Sequence, residues 1–526
     1  MLFKSTLSDK KTLLSTVVII ISLAASFATC YFATPTVFGG RDQGAIATAM
    51  IDLVKYKSFS FSTPISHDLF QKYGPGKALN YPGFDYTRDG QLTSRFPKAY
   101  ITYLAFFYRL FGLPGIQYAN FVPLFLFLFL FWLTLRHFFS DSISFLGFLL
   151  AVTFFPFLWF AKFSLTEIFM LFFVWAGIYF FLSYLKNPDK EKFLYFSFSA
   201  FALSALTRIE GIVFFLLALA YILLIEKKKA LNLPKNFRKN IVISTGLLLV
   251  LYIFLGFTTL LDSVKNIIKA ILPSGSNGSG STGDLYSHLA KIFFSYNIAP
   301  YILLGLAGII WLIWKFKKNW TKPEFAIVAI LFPSFFYLVS PMITLDDPWL
   351  LRRFVFAVFP VLLFFSIYCL NRFFLHKTFL YLSLIVLVTT NAVVSWRFLK
   401  YSENKDLLPQ ITQISQKFGP NDLILVDRLA TGSGFSLISE PLASLYGKNA
   451  IYFFNAEDLR YIDRSRYQNI YLVTPADDNN HWYSQIEKSP AGFSVITNNF
   501  LEPSTESFRL AVNTEYKGAI IFWKLK

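Results

Sequence analysis

Charge is what this chain has least of. Asp, Glu, Lys and Arg make up 15% of its 526 residues, and the acids are the scarcer sign, 31 against 49 bases. Soluble domains carry about a quarter charged residues, so a water-soluble fold is excluded by a chain that is also 55% apolar and 19% aromatic, with a mean hydropathy of +0.50. Cysteine is nearly missing: Cys30 and Cys369 are the only two. They fall in or beside different apolar runs, which leaves no basis for a disulfide framework. No repeat runs the length of the chain, and this argues weakly against the duplicated architecture of many secondary transporters.

What the chain has in abundance is long apolar runs. Stretches near twenty residues recur at 12–33, 116–135, 143–161, 165–185, 193–207, 211–225, 241–260, 292–314, 324–342, 354–371 and 378–396, about eleven candidate membrane spans. Basic residues sort onto alternate connections, as the positive-inside rule requires when the N-terminus is cytoplasmic. Lys4, Lys10 and Lys11, Lys227 to Lys229, and Lys315, Lys317 and Lys318 then all lie inside. The formal charge of +18 is thereby assigned to membrane anchors, and no nucleic-acid partner is expected. The first run continues into a polar loop without a small-x-small cleavage site, so it is expected to be a retained helix.

The expected fold class is an α-helical polytopic membrane protein, embedded by residues 1–396 in a plasma membrane, with a small α/β domain at 397–526 outside it. A first outside loop, 34–115, is too long to be a connector. Within it Ile46, Met50, Leu53 and Val54 recur at helical spacing, predicting a helix able to lie on the bilayer surface. A second amphipathic stretch, 96–112, ends at a glycine. Further along, "PSGSNGSGSTGD" at 273–284 reads either as a spacer or as a cover over a site. In the tail, "LILVD", "AIYFF" and "NIYLVTP" alternate with helix-like stretches, the signature of an α/β layer. "GSGFS" at 432–436 lacks the spacing of a dinucleotide fingerprint.

The rare charges near the membrane converge on the outer side. Asp42 follows the first span, Glu167 opens the fourth, Arg208 and Glu210 sit in "LTRIEG", and Asp346, Asp347, Arg352 and Arg353 sit in "LDDPWLLRRF". Each has an ordinary reading. Asp42 serves as a helix N-cap, Glu167 as a first-turn acid, Arg352 and Arg353 as headgroup anchors, and Arg208 with Glu210 as a local pair. Anchoring alone does not ask for carboxylates at the outer mouth. Arginine forks beside carboxylates suit transfer of a group from a lipid-linked phosphate, where the arginines stabilise the departing phosphate and a carboxylate takes the acceptor's proton.

"GGRDQGAIATAMIDLVKYKSFSFSTP", "RFPKAYITYLAFFYRLFG", "LTEIFMLFFVWAGIYFF" and "LTRIEG" together resemble the motifs of the GT-C class of membrane glycosyltransferases. The likeness is to the group holding the dolichyl-phosphate-mannose protein mannosyltransferases and aminoarabinose transferases. It covers roughly residues 12–230, in order. Gln43 stands where the group usually has a second acid, and Phe96 where it has the first of two prolines. The resemblance implies an inverting sugar transfer from a polyprenyl-phosphate donor to an unidentified acceptor at the outer membrane face. It makes Asp42 the base and Glu167 its supporting acid, with Arg95, Lys98, Arg208, Arg352 and Arg353 as candidates for the donor phosphate. Some members hold a divalent metal near such acids, although two hard oxygen ligands are too few to argue for one here. The alternative from a different class is a transporter or flippase of lipid-linked sugars.

Overall fold

The computed structural model describes residues 2–38, 42–252, 282–316, 319–340, 346–431, 437–476, 483–504 and 508–526. The 432–436 segment, most of the Gly/Ser stretch and Gly39, Gly40 and Arg41 of "GGRDQG" lie outside these residues.

Every apolar run is helical where it is described, because a backbone in lipid must satisfy its own hydrogen bonds. Five helices among the described residues are long and apolar enough to cross a membrane: Thr12–Tyr31, Leu113–Leu135, Thr166–Lys186, Ala299–Phe316 and Lys377–Leu399. A sixth span is complete if Asp141–Val152 and Phe155–Ala161, bent by 49°, count as one. Pro156 explains the bend: it lacks the N–H that would bond Val152 and continue the helix. Other runs are shorter or interrupted, as at Pro323–Leu331, which passes into a 3-10 turn at Pro333. The chain is therefore a helical integral membrane protein with a sheet-containing C-terminal part.

The bundle packs largely through aromatic rings, and tight approach is reserved for glycine. A side chain at Gly305 or Gly308 would meet the backbone of Leu362 or Phe365 at 2.8 and 2.4 Å, so the Ala299–Phe316 and Val358–Phe373 helices touch along a small-residue seam.

Outside the bundle, the C-terminal part forms a five-stranded sheet ordered Asn449–Phe453, Leu423–Asp427, Ile470–Pro475, Val512–Leu525, Lys488–Glu502. The first three strands are parallel and the last two antiparallel. Strand alternation sends Ile424 and Val426 to one face, against the Leu407–Ser415 helix, and Leu423 and Leu425 to the other. That second face is covered by Ile65 and Leu69 of the Pro64–Tyr73 helix, which belongs to the first loop. Full burial of each such side chain stabilises by about 1.5–3 kcal/mol. The loop also has its own four-stranded antiparallel sheet.

Polar contacts fix this docking. Asp458, fully buried, accepts from Lys72 at 2.6 Å, from Tyr73 at 2.9 Å and from Asn80 at 3.3 Å; Arg466 pairs with Asp68 at 3.0 Å. Breaking a buried pair by removing one partner costs about 3–5 kcal/mol. Asp458→Ala should therefore loosen the loop, visible as faster amide hydrogen exchange over 64–86 without a change in the membrane helices.

The root of the C-terminal part is tied as well. Lys162 Nζ donates to the carbonyls of Phe398, Leu399 and Tyr401 at 2.7, 2.5 and 2.7 Å, where the last membrane helix ends.

The helix expected on the bilayer surface is instead enclosed. Gln43 through Asp52 of Asp42–Tyr56 are all buried. The Lys98–Phe111 helix packs on one side and the Ser439–Ser444 helix of the C-terminal part on another. Its run of alanines permits this closeness: a Cβ on Gly83, which holds a positive φ of 85°, would lie 2.3 Å from Ala45 Cβ. The Lys98–Phe111 helix does end at Gly112, with φ of 63°, and it exposes Phe106, Leu110 and Phe111.

Candidate active site

Four separate segments deliver Asp42, Glu167, Arg208 and Arg352 to one place. Asp42 is the first residue of its helix, and Glu167 sits in the first turn of Thr166–Lys186. Arg208 precedes Glu210–Lys227, and Arg352 lies in the 3-10 turn Trp349–Phe354. Arg352 joins the acids: Nη2 is 2.6 Å from Asp42 Oδ2 and Nε 3.0 Å from Glu167 Oε1. The same Glu167 oxygen accepts from Arg208 Nη1 at 3.0 Å. Arg208 then grips Glu210 with two prongs, at 2.9 and 3.3 Å, and Tyr337 donates to Glu210 at 2.5 Å.

Exposure is lowest at the centre of this chain of charges and greatest at Asp42. The Glu167 side chain is 0% exposed, Arg352 6% and Arg208 11%, while Asp42 is 42% exposed. Aromatic faces close over the cations: Trp349 lies 4.9 Å from the Arg352 guanidinium and Phe356 5.2 Å from that of Arg208. The result is a rigid, paired interior with one reachable carboxylate at its end.

Arg352 is thus not a headgroup anchor. Its neighbour Arg353 faces Tyr337, 5.8 Å from the ring centroid. Arg208 with Glu210 is a local pair and also a link to Glu167. The other two basic candidates are engaged elsewhere. Arg95 pairs with Asp85 at 2.5 Å within the loop's own sheet, and Lys98 holds its ammonium over Phe59 at 5.4 Å. Among the described residues the Asp42 carboxylate forms no capping hydrogen bond and pairs with Arg352. Tyr337 is a member that the sequence did not announce, because a tyrosine in an apolar run carries no positional signal.

At Gln43, the residue after Asp42, lies a cavity of about 290 Å³ between the bundle and the C-terminal part, lined also by Trp159, Asp347, Trp349, Asn498 and Phe500 among others. Gln43 Oε1, Asp347 Oδ1 and Asn498 Nδ2 are buried there without a partner among the described residues. Burial pushes the Asp347 carboxyl up to about 6.

A divalent cation does not fit this arrangement. Asp42 and Glu167 are already held by guanidiniums, and no group of three or more His, Cys, Asp or Glu among the described residues is placed to hold a metal.

Farther along the Asp42 helix, Asp52 is buried, and desolvation pushes its carboxyl up to about 7 against the pull of Lys55. The folded state therefore keeps a proton that the unfolded chain releases near pH 4. The sign follows from linkage: stability is greatest below that pH and declines as pH rises to about 7. Asp52→Asn should flatten that decline in melting temperature between pH 5 and pH 8.

No protein-family model matches the chain, and no curated protein matches it in sequence. Solved structures do. ArnT from Cupriavidus metallidurans, bound to undecaprenyl phosphate, superimposes with a TM-score of 0.57 at 12% identity over 96% of this chain and 97% of that one. Its apo state has a TM-score of 0.54 at 12% identity, covering 98% of both chains. The archaeal oligosaccharyltransferase AglB from Archaeoglobus fulgidus, in complex with an inhibitory peptide and a dolichol-phosphate, has a TM-score of 0.51 at 12% identity, over 88% of this chain and 70% of that one. At such identities the likeness is one of architecture: the chain has the fold of the GT-C membrane glycosyltransferases.

Proposed function

We propose that the protein transfers a sugar from a polyprenyl-phosphate donor to an acceptor at the outer face of the membrane, inverting the anomeric carbon, with Asp42 as the base. The observation that carries this reading is the buried network of paired charges ending in one half-exposed carboxylate, that of Asp42, whose neighbour in sequence Gln43 lines a cavity. The solved neighbours that hold undecaprenyl phosphate or a dolichol-phosphate supply the donor class.

In this mechanism the acceptor's O–H or N–H gives its proton to Asp42 as the acceptor atom attacks the anomeric carbon. The bond from that carbon to the phosphate oxygen breaks, and the polyprenyl phosphate leaves with the electron pair. Arg352 and Arg353, with Arg208 behind them, stabilise the charge on the departing phosphate. Glu167 touches neither substrate; it holds Arg208 and Arg352 in position. Arg95 and Lys98 lack a role in this step. The acceptor, whether protein, lipid or glycan, enters the cavity lined by Gln43.

Purified protein given labelled lipid-phosphate sugars and crude envelope acceptors should release polyprenyl phosphate and label an acceptor. Labelled lipid crossing a liposome bilayer intact, with no release, would instead establish a flippase. The reading also carries the eleven-span topology with a cytoplasmic N-terminus. A cysteine at exposed Glu515 should react with an impermeant thiol reagent in intact cells, and one at exposed Asn236 should not.

A further inference from the structure

A second cavity lies at the far end of the Asp42–Tyr56 helix. It measures about 170 Å³ and is walled by that helix, by the loop segments around Phe61 and Asn80, and by the Ser439–Ser444 helix with the strand beyond it. Asp52 is ten residues from Asp42, about 15 Å along a helix axis, so this space is separate from the chamber at Gln43.

Its lining is polar in an unusual way. Thr48, Asp52 and Tyr56 are spaced i, i+4, i+8 and form one stripe of the helix facing the cavity. Thr48 Oγ1 and Asn80 Oδ1 are buried, with their residues 6% and 2% exposed, and neither has a hydrogen-bond partner among the described residues. The orientation of the Asn80 amide is determined, since its Nδ2 donates to Tyr452 O at 2.8 Å and to Asp458 at 3.3 Å. The free atom is therefore the acceptor. Asp52, 6% exposed, makes no hydrogen bond or ion pair among the described residues. Buried polar groups are nearly always satisfied, and here three in one cavity await partners.

Water alone would satisfy such atoms, but the rest of the wall asks for something flatter. Tyr56 and Phe61 both line the cavity and stack on each other, centroids 5.1 Å apart and planes within 5°. An apolar ring surface beside a cluster of hydroxyl, amide, carboxyl and ammonium groups, the last from Lys55 and Lys448, matches a ligand with one apolar face and a rim of hydroxyls, which both donate and accept. The volume is right for one such ring, since a cavity of about 150 Å³ accepts a single benzene.

We propose that this cavity binds one pyranose ring of a glycan, its hydroxyls bonding Thr48, Asp52 and Asn80 and its apolar face lying against the Tyr56 and Phe61 pair. The proposal goes beyond the transfer reading and does not depend on it, because the ring is held about three helical turns from Asp42 and no bond is made or broken there.

The test is binding, read by saturation-transfer NMR on the full chain in lipid nanodiscs free of sugar-headed detergent. The probes are methyl α- and β-glycosides of glucose, galactose, mannose and N-acetylglucosamine, all neutral, with methyl glucosaminide as the cationic comparison. At least one should bind, with transfer concentrated on one face of the ring. Thr48→Val and Asp52→Asn, both close in shape to the native residue, should each weaken it by about tenfold, while Asp42→Asn leaves it unchanged. Melting temperatures on the same samples exclude misfolding. No binding by any glycoside up to tens of millimolar overturns the proposal, as does binding that Asp42→Asn removes and the two cavity variants leave intact. Binding of glucosamine alone, with every neutral glycoside silent, overturns the neutral-sugar assignment in favour of an amine site.

Discussion

Asp42→Asn should lower sugar transfer by about 10²- to 10⁴-fold, the usual effect of losing a general base, while the melting temperature stays close to that of the wild type. Asparagine keeps the size of aspartate and one oxygen facing Arg352. It loses the charge and the basicity. The ion pair that it weakens is 42% exposed on the aspartate side, where such pairs contribute little to stability. Release of polyprenyl phosphate is the readout, with donor binding measured in parallel. Transfer within about threefold of wild type, on the scale of general-base effects, would remove Asp42 from the chemistry.

Arg352 should produce the largest combined loss. Its guanidinium is the sole bridge among the described residues between Asp42 and Glu167, and Arg352→Gln leaves a fully buried carboxylate with Arg208 as its one remaining cation. Removing one member of a buried pair costs about 3–5 kcal/mol; the surviving contact to Arg208 puts the expectation at the lower end. Thermal unfolding should therefore shift down by several degrees, and transfer should fall below detection. Arg352→Lys separates the two effects. A lysine keeps the charge and part of the stability but cannot reach two carboxylates at once with fixed geometry, so transfer should stay low while the melting temperature partly recovers. A double variant, Arg352→Gln with Glu167→Gln, should be less destabilised than the sum of the single losses, because it leaves no unmatched buried charge.

Helix positions are legible in the sequence, since apolar length is dictated by the bilayer itself. The clustered charges are legible for a related reason: a carboxylate beside long apolar runs is expensive and stands out. The distinction between Arg352 and Arg353 is not legible. The two are adjacent, and only the 3-10 turn Trp349–Phe354 turns the first toward Glu167. Arg95 and Lys98 look equivalent to the other bases until Asp85 and Phe59 are seen to engage them. The unbroken apolar run of "LILVD" shows that both faces of that strand are covered, but nothing local says that Ile65 and Leu69, more than 350 residues earlier in the chain, cover one of them. The stripe of Thr48, Asp52 and Tyr56 is likewise present in the sequence but silent. It lies beside an apolar stripe on the same helix and acquires meaning only when a second part of the chain closes over it.

Lys162 has a mechanical consequence. Domains that swing usually do so about a few terminal residues whose backbone torsions are free to change. Here the three carbonyls at the start of the C-terminal part converge on one ammonium from the bundle, and Asn499 reaches back to the carbonyl of Ser402 at 3.1 Å. The place where a hinge would form is locked. If the proposed transfer takes place at Asp42, a large acceptor is expected to reach it past the rim of the cavity or from within the lipid, with the C-terminal part acting as a fixed wall.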